Sequence, residues 1–190
     1  MTENPRKNDS SRTEQALTGL VVAAAGALML AMMGRAVVVL VVALGASYAI
    51  WVTRSDWAAT RHIVPVLLVA VLVQCVHLGE EIWSGFYRRF PPVMGGGPWS
   101  ERQFVVFNAV WLAVFLAAAI GVAQRWRPAY VATLFLAIGG GIGNGLGHIA
   151  LAIQADGYSP GLYTAPFVLV VGITLLTRHR PVAKRVVAAI

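Results

Sequence analysis

The sequence predicts an all-α protein, a polytopic transmembrane helical bundle of six spans. Three observations carry that reading. Of the 190 residues, 58% are hydrophobic and 12% charged, at a mean hydropathy of +0.70, far more apolar than a soluble domain. The apolar residues fall in runs near the roughly 20 residues that a bilayer's hydrocarbon core requires. Positive charge sits in short clusters between the runs, so the net charge of +7 and pI near 10.3 do not predict nucleic-acid binding, which needs a basic face. The composition excludes a water-soluble enzyme and intrinsic disorder. The one cysteine, Cys75, forms no intrachain disulfide and reads as a small core residue.

Residues 1–15, MTENPRKNDSSRTEQ, are polar and of mixed charge and predict a disordered cytoplasmic tail. Residues 16–190 are then a single transmembrane domain. Its first two runs, 16–33 and 36–53, are separated only by Gly34 and Arg35. One helix through both would be about 57 Å long, nearly twice the apolar thickness, with arginine at mid-membrane. Two spans with a very tight turn are therefore expected. Runs at 62–85, 103–123, 129–153 and 162–177 complete the six.

Charge orients the bundle. With the N-terminus inside, Arg6, Lys7, Arg12, Arg54, Arg61, Arg125, Arg127, Arg178, Arg180, Lys184 and Arg185 face the cytoplasm, and Arg35, Arg88, Arg89 and Arg102 lie outside. Eleven against four is the bias that cytoplasmic loops retain, and it predicts a multi-pass plasma-membrane protein with both termini cytoplasmic. Merging the first two runs would reverse every later loop and abolish the bias. Trp51, Trp57, Trp83, Trp99 and Trp126 fall where interfacial rings settle, and His62 and His179 beside arginines read as interfacial too. The tail RHRPVAKR at 178–185 suits anionic headgroups.

Ionisable groups inside the spans are costly enough to mark function. In the third run, Gln74, His77, Glu80, Glu81 and Ser84 share one helical stripe, with both carboxylates within about 60° of His77 at 3.6 residues per turn. In the fifth, Asn144 and His148 stand one turn apart, in line with Gly140, beside a column of Gly139, Gly143 and Gly147 expected to clamp this helix against a neighbour. Both runs leave the cytoplasmic side, and His77 and Asn144 each lie about 22 Å along them. The two polar sets therefore meet at one level in the outer half of the membrane. Asn108 on the fourth run and the loop ADGYSPGLYT, with Tyr158, Ser159 and Thr164, reach that level, and the loop around Tyr158 is expected to roof a cavity there. The loop RRFPPVMGGGPWSER reads as a connector, with a lid as the alternative.

Three segments carry a resemblance. HLGEE at 77–81, NGLGH at 144–148 and YSPGLYT at 158–164 resemble the motifs of the HXXEE family of bacterial integral membrane proteins, over roughly residues 60–177. The resemblance marks His77, Glu80, Glu81, Asn144, His148, Tyr158, Pro160, Gly161 and Thr164. The family is uncharacterised, so it implies site positions and no reaction.

Four chemistries suit these residues. His77, Glu80, Glu81 and His148 make a ligand set for one or two divalent ions, zinc, iron or manganese. The same four are the catalytic residues of a metal-dependent or acid/base enzyme acting on a lipid-like or small apolar substrate, with Asn144, Tyr158, Thr164 and Asn108 orienting it. A proton- or cation-coupled transporter would use the carboxylates and His148 as a relay. A purely structural cluster would hydrogen-bond two helices. The lipid bilayer is the expected partner; oligomeric state and reaction type stay open.

Overall fold

In a computed structural model the protein is described at residues 5–54 and 62–179, with side chains from residue 11 onward, and all its regular structure there is helical. In chain order come α1 (Pro5–Met33), a 3-10 turn (Gly34–Val37), α2 (Val38–Val52), α3 (Val64–Ser84), α4 (Phe86–Val93) and α5 (Glu101–Ala123). Then α6 (Ala129–Phe135) passes through a π-helical segment (Leu136–Gly143) into α7 (Asn144–Gln154), and α8 is Ala165–Arg178. The helical backbone starts at Pro5, inside the stretch assigned to a disordered tail; residues 1–4 lie outside the described residues. Extending an existing helix is far easier than nucleating one, and Glu14 is tied down by an ion pair to Arg127 at 3.2 Å.

Four stretches are long and apolar enough to cross a membrane: Ser11–Val52, Val64–Ser84, Glu101–Ala123 and Ala129–Gln154; Ala165–Arg178 is a shorter apolar helix. The first of these folds back on itself. Gly34 takes φ +68°, the left-handed conformation that glycine adopts without strain, where the sequence places a turn. The Tyr48 hydroxyl donates to the Gln15 carbonyl at 2.9 Å, and a Cβ on Gly26 would meet Val41 at 3.3 Å. These partners advance in opposite directions along the chain, so α1 and α2 are antiparallel.

The two ends of the bundle are held by different contacts. Glu14, Trp51, Arg54, Arg127 and His179 gather at one end, where Trp51 Nε1 donates to the Arg127 carbonyl at 2.9 Å and Arg54 to the His179 carbonyl. At the other, Trp99 Nε1 donates to the Met33 carbonyl at 2.9 Å and Gln103 to that of Met32. Trp51 and Trp99 are therefore buried staples between distant segments, not the interfacial anchors expected; Trp83 and Trp126 are exposed, and Trp57 lies outside the described residues. His179 is likewise buried rather than interfacial, while His62 is exposed. Cys75 lies on the exposed face of α3 beside Leu72 and Val76, so it is an outward-facing residue and not a core one.

Helix α7 and the π segment pack on α8 through glycine, but not through the expected column. A Cβ on Gly141 would lie 2.5 Å from Gly172 Cα, and one on Gly145 2.8 Å from Leu169 Cβ; Gly139 instead backs onto Ala43 of α2, and Gly147 faces open space. The π segment bonds i to i+5, which rotates the following residues away from a 3.6-residue template. The connector between α3 and α5 also holds structure: Gly85, at φ +74°, ends α3 and lets α4 start at once, so that Phe86 and Phe90 turn inward. Ser100 then caps α5 by accepting from Gln103 N–H, one of the orphan donors at a helix start.

Candidate metal centre

Helix α3 and helix α7 bring their histidines into contact, with the rings of His77 and His148 4.8 Å apart, edge to face. Both are buried, as is Glu81, one turn beyond His77. Among the described residues these three form the one group whose ligand atoms all lie within 4.8 Å of one another. The two polar sets therefore meet, with His77 touching His148 rather than Asn144, the residue at its own calculated rise.

Hydrogen bonds fix what each imidazole presents. Thr164 Oγ1 donates to Glu80 Oε2 at 2.6 Å, so its lone pair accepts from His77 Nδ1–H, also at 2.6 Å. His148 Nδ1–H donates to the Pro160 carbonyl at 2.6 Å. With both Nδ1 atoms protonated, a neutral ring carries its lone pair on Nε2. These two Nε2 atoms lie 3.6 Å and 3.1 Å from the same oxygen, Glu81 Oε1. His77 Nε2 is buried without a hydrogen-bond partner, an exception of the kind that calls for an explanation.

The donor set fits a divalent ion. Tetrahedral sites with bonds of about 2.0–2.1 Å place neighbouring ligand atoms about 3.3 Å apart, between the 3.1 and 3.6 Å that separate the two Nε2 atoms from Glu81 Oε1, and all three ligand atoms lie within 4.8 Å of one another. The backing partners on Nδ1 are those that metal-binding histidines use to fix tautomer and ring orientation. One proton would satisfy the Glu81 and His148 pair and leave His77 Nε2 bare. A metal ion would satisfy all three.

Glu80 plays a different part. Its carboxylate accepts from the Tyr158 hydroxyl at 3.0 Å, Tyr163 N–H at 3.1 Å, Thr164 N–H at 2.8 Å and the Thr164 hydroxyl. Four donors fill the carboxylate's acceptor sites, so Glu80 clamps the 158–164 loop onto α3 rather than joining the buried group. Partial burial holds the Tyr158 hydroxyl above its ordinary pKa, with the Glu80 carboxylate adding to it, so Tyr158 serves as a donor. Tyr158 and Thr164 therefore act on Glu80 and His77. Gly161, at φ +88°, passes so close to the His148 ring that a Cβ there would overlap it.

Beside the centre lies a cavity of about 330 Å³. Glu81 and His148 form part of its wall together with Gln74, Asn108 and Asn144, and Phe107, Trp111, Phe115 and Phe135 supply an aromatic side. The expected roof is corrected: Tyr158 is absent from the lining, and Phe86, Phe90, Met94 and Trp99, from α4 and the segment after it, cover the cavity instead. A second hollow, of about 300 Å³, borders Tyr158 and Ser159. Val37 and Leu40 from the 3-10 turn and α2 also line the main cavity, a contribution that neither run's own pattern signals. Phe86 had a local signal, the glycine before it.

Residues 68–175 match a protein-family model described as a protein of unknown function with HXXEE motif. The match contains all three motif segments, HLGEE, NGLGH and YSPGLYT. No curated protein and no solved structure gives a match.

Proposed function

The chain belongs to the HXXEE-motif family, and from that premise we propose a membrane enzyme in which His77, Glu81 and His148 bind one divalent ion, zinc, iron or manganese, and act on a lipid-like substrate in the adjoining cavity. The observation that carries the reading is the buried, unpartnered Nε2 of His77 aimed at a carboxylate oxygen that already faces a second imidazole. Bound there, the ion would act as a Lewis acid or lower the pKa of a bound water. Three protein ligands leave a position free, as catalytic rather than structural sites do, and the cavity borders two of the three. Thr164 would hold His77 in its Nδ1–H form and couple it to the Glu80 charge; the Pro160 carbonyl would do the same for His148.

The bundle carrying this centre would span the plasma membrane six times, through α1, α2, α3, α5, the α6–α7 rod and α8. Antiparallel α1 and α2 and the grouping of Arg54 and Arg127 at one end and Arg35 at the other support this arrangement, with both termini cytoplasmic. Helix α8 is about 21 Å long and would need a thinned bilayer or its preceding loop at membrane depth. A transport relay is less well supported. Among the described residues the cavity's ionisable lining is Glu81 and His148 alone, whereas a relay needs successive sites.

The test is the metal content of the detergent-purified protein after zinc, iron or manganese loading, against His77→Ala, Glu81→Gln and His148→Ala. One equivalent in the wild type, lost in each folded variant, is expected. A metal-free wild type after loading, or a stoichiometry unchanged in all three, would refute it. The 3.1 Å approach of Glu81 to His148 supports a second reading, a proton-sharing acid and base pair, which requires the metal-free outcome with the fold intact.

A further inference from the structure

We infer that the cavity selects a neutral amphiphile, recognised through carbonyl, hydroxyl or amide groups by a row of carboxamide side chains flanking the buried His/Glu group. This deepens the proposed function by naming the substrate class, and it rests on reading the cavity as the substrate site.

Four carboxamides line the cavity: Gln74 from α3, Asn108 from α5, and Asn144 and Gln154 from α7. In a membrane, amide side chains normally hydrogen-bond across to a neighbouring helix. These do not. Asn108 donates only to the Phe104 carbonyl of its own helix, at 2.9 Å, and no hydrogen bond joins the side chain of Gln74, Asn144 or Gln154 to the described residues. Gln74, Asn108 and Asn144 are half-buried and Gln154 is exposed, so their amide groups are open to a ligand with matching groups. Carboxamides carry donors and acceptors and no charge, which suits a ligand that is itself uncharged.

The protein's own side chains offer an anion no partner. Among the described residues no lysine or arginine lines the cavity, and its one acidic wall residue is Glu81. A phosphate or carboxylate inside would face that carboxylate, with the ion of the proposed centre as the one cation within reach. Spacing gives the ligand's polar layout. Along α7, Asn144 lies about 6 Å to one side of His148 and Gln154 about 9 Å to the other, so hydrogen-bonding groups are read on both sides of the reacting position. The cavity's volume is about 330 Å³, and aromatic side chains supply one wall.

The experiment compares two ligands of one chain length, a dodecanoyl monoacylglycerol and the matching lysophosphatidic acid, by calorimetry and native mass spectrometry on the detergent-purified protein. Saturable one-to-one binding of the monoacylglycerol is expected, with the phosphate ester at least tenfold weaker. Gln74→Leu and Asn144→Leu should each weaken the neutral ligand by about tenfold, the loss of one or two hydrogen bonds. Gly147→Leu guards against misfolding as the explanation. Gly147 lines the cavity, a Cβ there meets nothing, and leucine favours helix, so this variant should stay folded and lose binding. Equal or tighter binding of the phosphate ester overturns the inference. So does binding that survives Gly147→Leu, or that Gly147→Leu blocks while both carboxamide variants leave it unchanged. Metal content measured on the same samples separates the two readings. A wild type that stays metal-free after loading, with Asn144-dependent lipid binding, refutes the metal centre and supports this inference. A metal-loaded wild type that binds neither lipid overturns this inference alone.

Discussion

Thr164→Val is the sharpest probe of the centre, because it keeps the shape of the side chain and deletes one oxygen. That oxygen accepts from His77 Nδ1–H and donates to Glu80, each at 2.6 Å. Without it, nothing fixes the His77 tautomer, and Nε2 is no longer held as the lone-pair atom. Loss of such a backing partner typically lowers metal affinity by about 10–100-fold, which is about 1.4–2.7 kcal/mol. The fold should suffer less than from removing Glu80 itself, since Glu80 keeps three of its four donors. The assay is zinc affinity by chelator competition, with thermal unfolding in parallel, and Thr164→Ser as the variant that restores the oxygen. Wild-type zinc affinity in Thr164→Val, with only the unfolding temperature lowered, would show that Thr164 clamps the loop and does not tune an imidazole.

Other consequences follow from the same geometry. Glu80→Gln should retain one equivalent of metal yet unfold about 1.5–3 kcal/mol more easily, the worth of hydrogen bonds to a charged group, as denaturant titration would show; loss of metal would place Glu80 among the ligands. Gly161→Ala combines a left-handed φ of +88° with overlap of the His148 ring, and should cut zinc affinity at least tenfold. Gly141→Leu forces the π segment off Gly172, so overpacking of about 1–3 kcal/mol is expected in thermal unfolding, with unchanged unfolding refuting the close approach. Burial holds the His179 imidazole near a pKa of about 4 against 6.5 when free, with Arg54 and His62 pushing the same way. The unfolded chain therefore binds the extra proton. The stability is intact above pH 6.5 and falls towards pH 4, by at most about 3 kcal/mol, a slope that His179→Gln should flatten.

Much of this was legible from residue order. The hairpin turn at Gly34 and Arg35 followed from helix length and the expense of a mid-membrane arginine. Rise along two parallel runs put the His77 and Asn144 sets at one level, and the contact itself is with His148, one turn beyond Asn144. Other features resisted because they depend on rotation about a helix axis or on partners distant in sequence. The stripe on α3 put Glu80 and Glu81 symmetrically about His77, yet Glu80 faces a loop eighty residues later that offers it four donors. Trp51 and Trp99 had the positions of interfacial anchors and became internal staples, since each found a distant backbone carbonyl, in the turn before α6 and at the end of α1.

The sequence by itself determined an apolar helical chain, its turns, its charge bias and the two helices that carry the histidines, because these depend on periodicity and length. Tertiary structure alone decided which carboxylate joins the imidazoles, which glycines touch α8 and what covers the cavity. Helix rotation set by the π segment and hydrogen bonds from the 158–164 loop make those choices, and no local pattern encodes either.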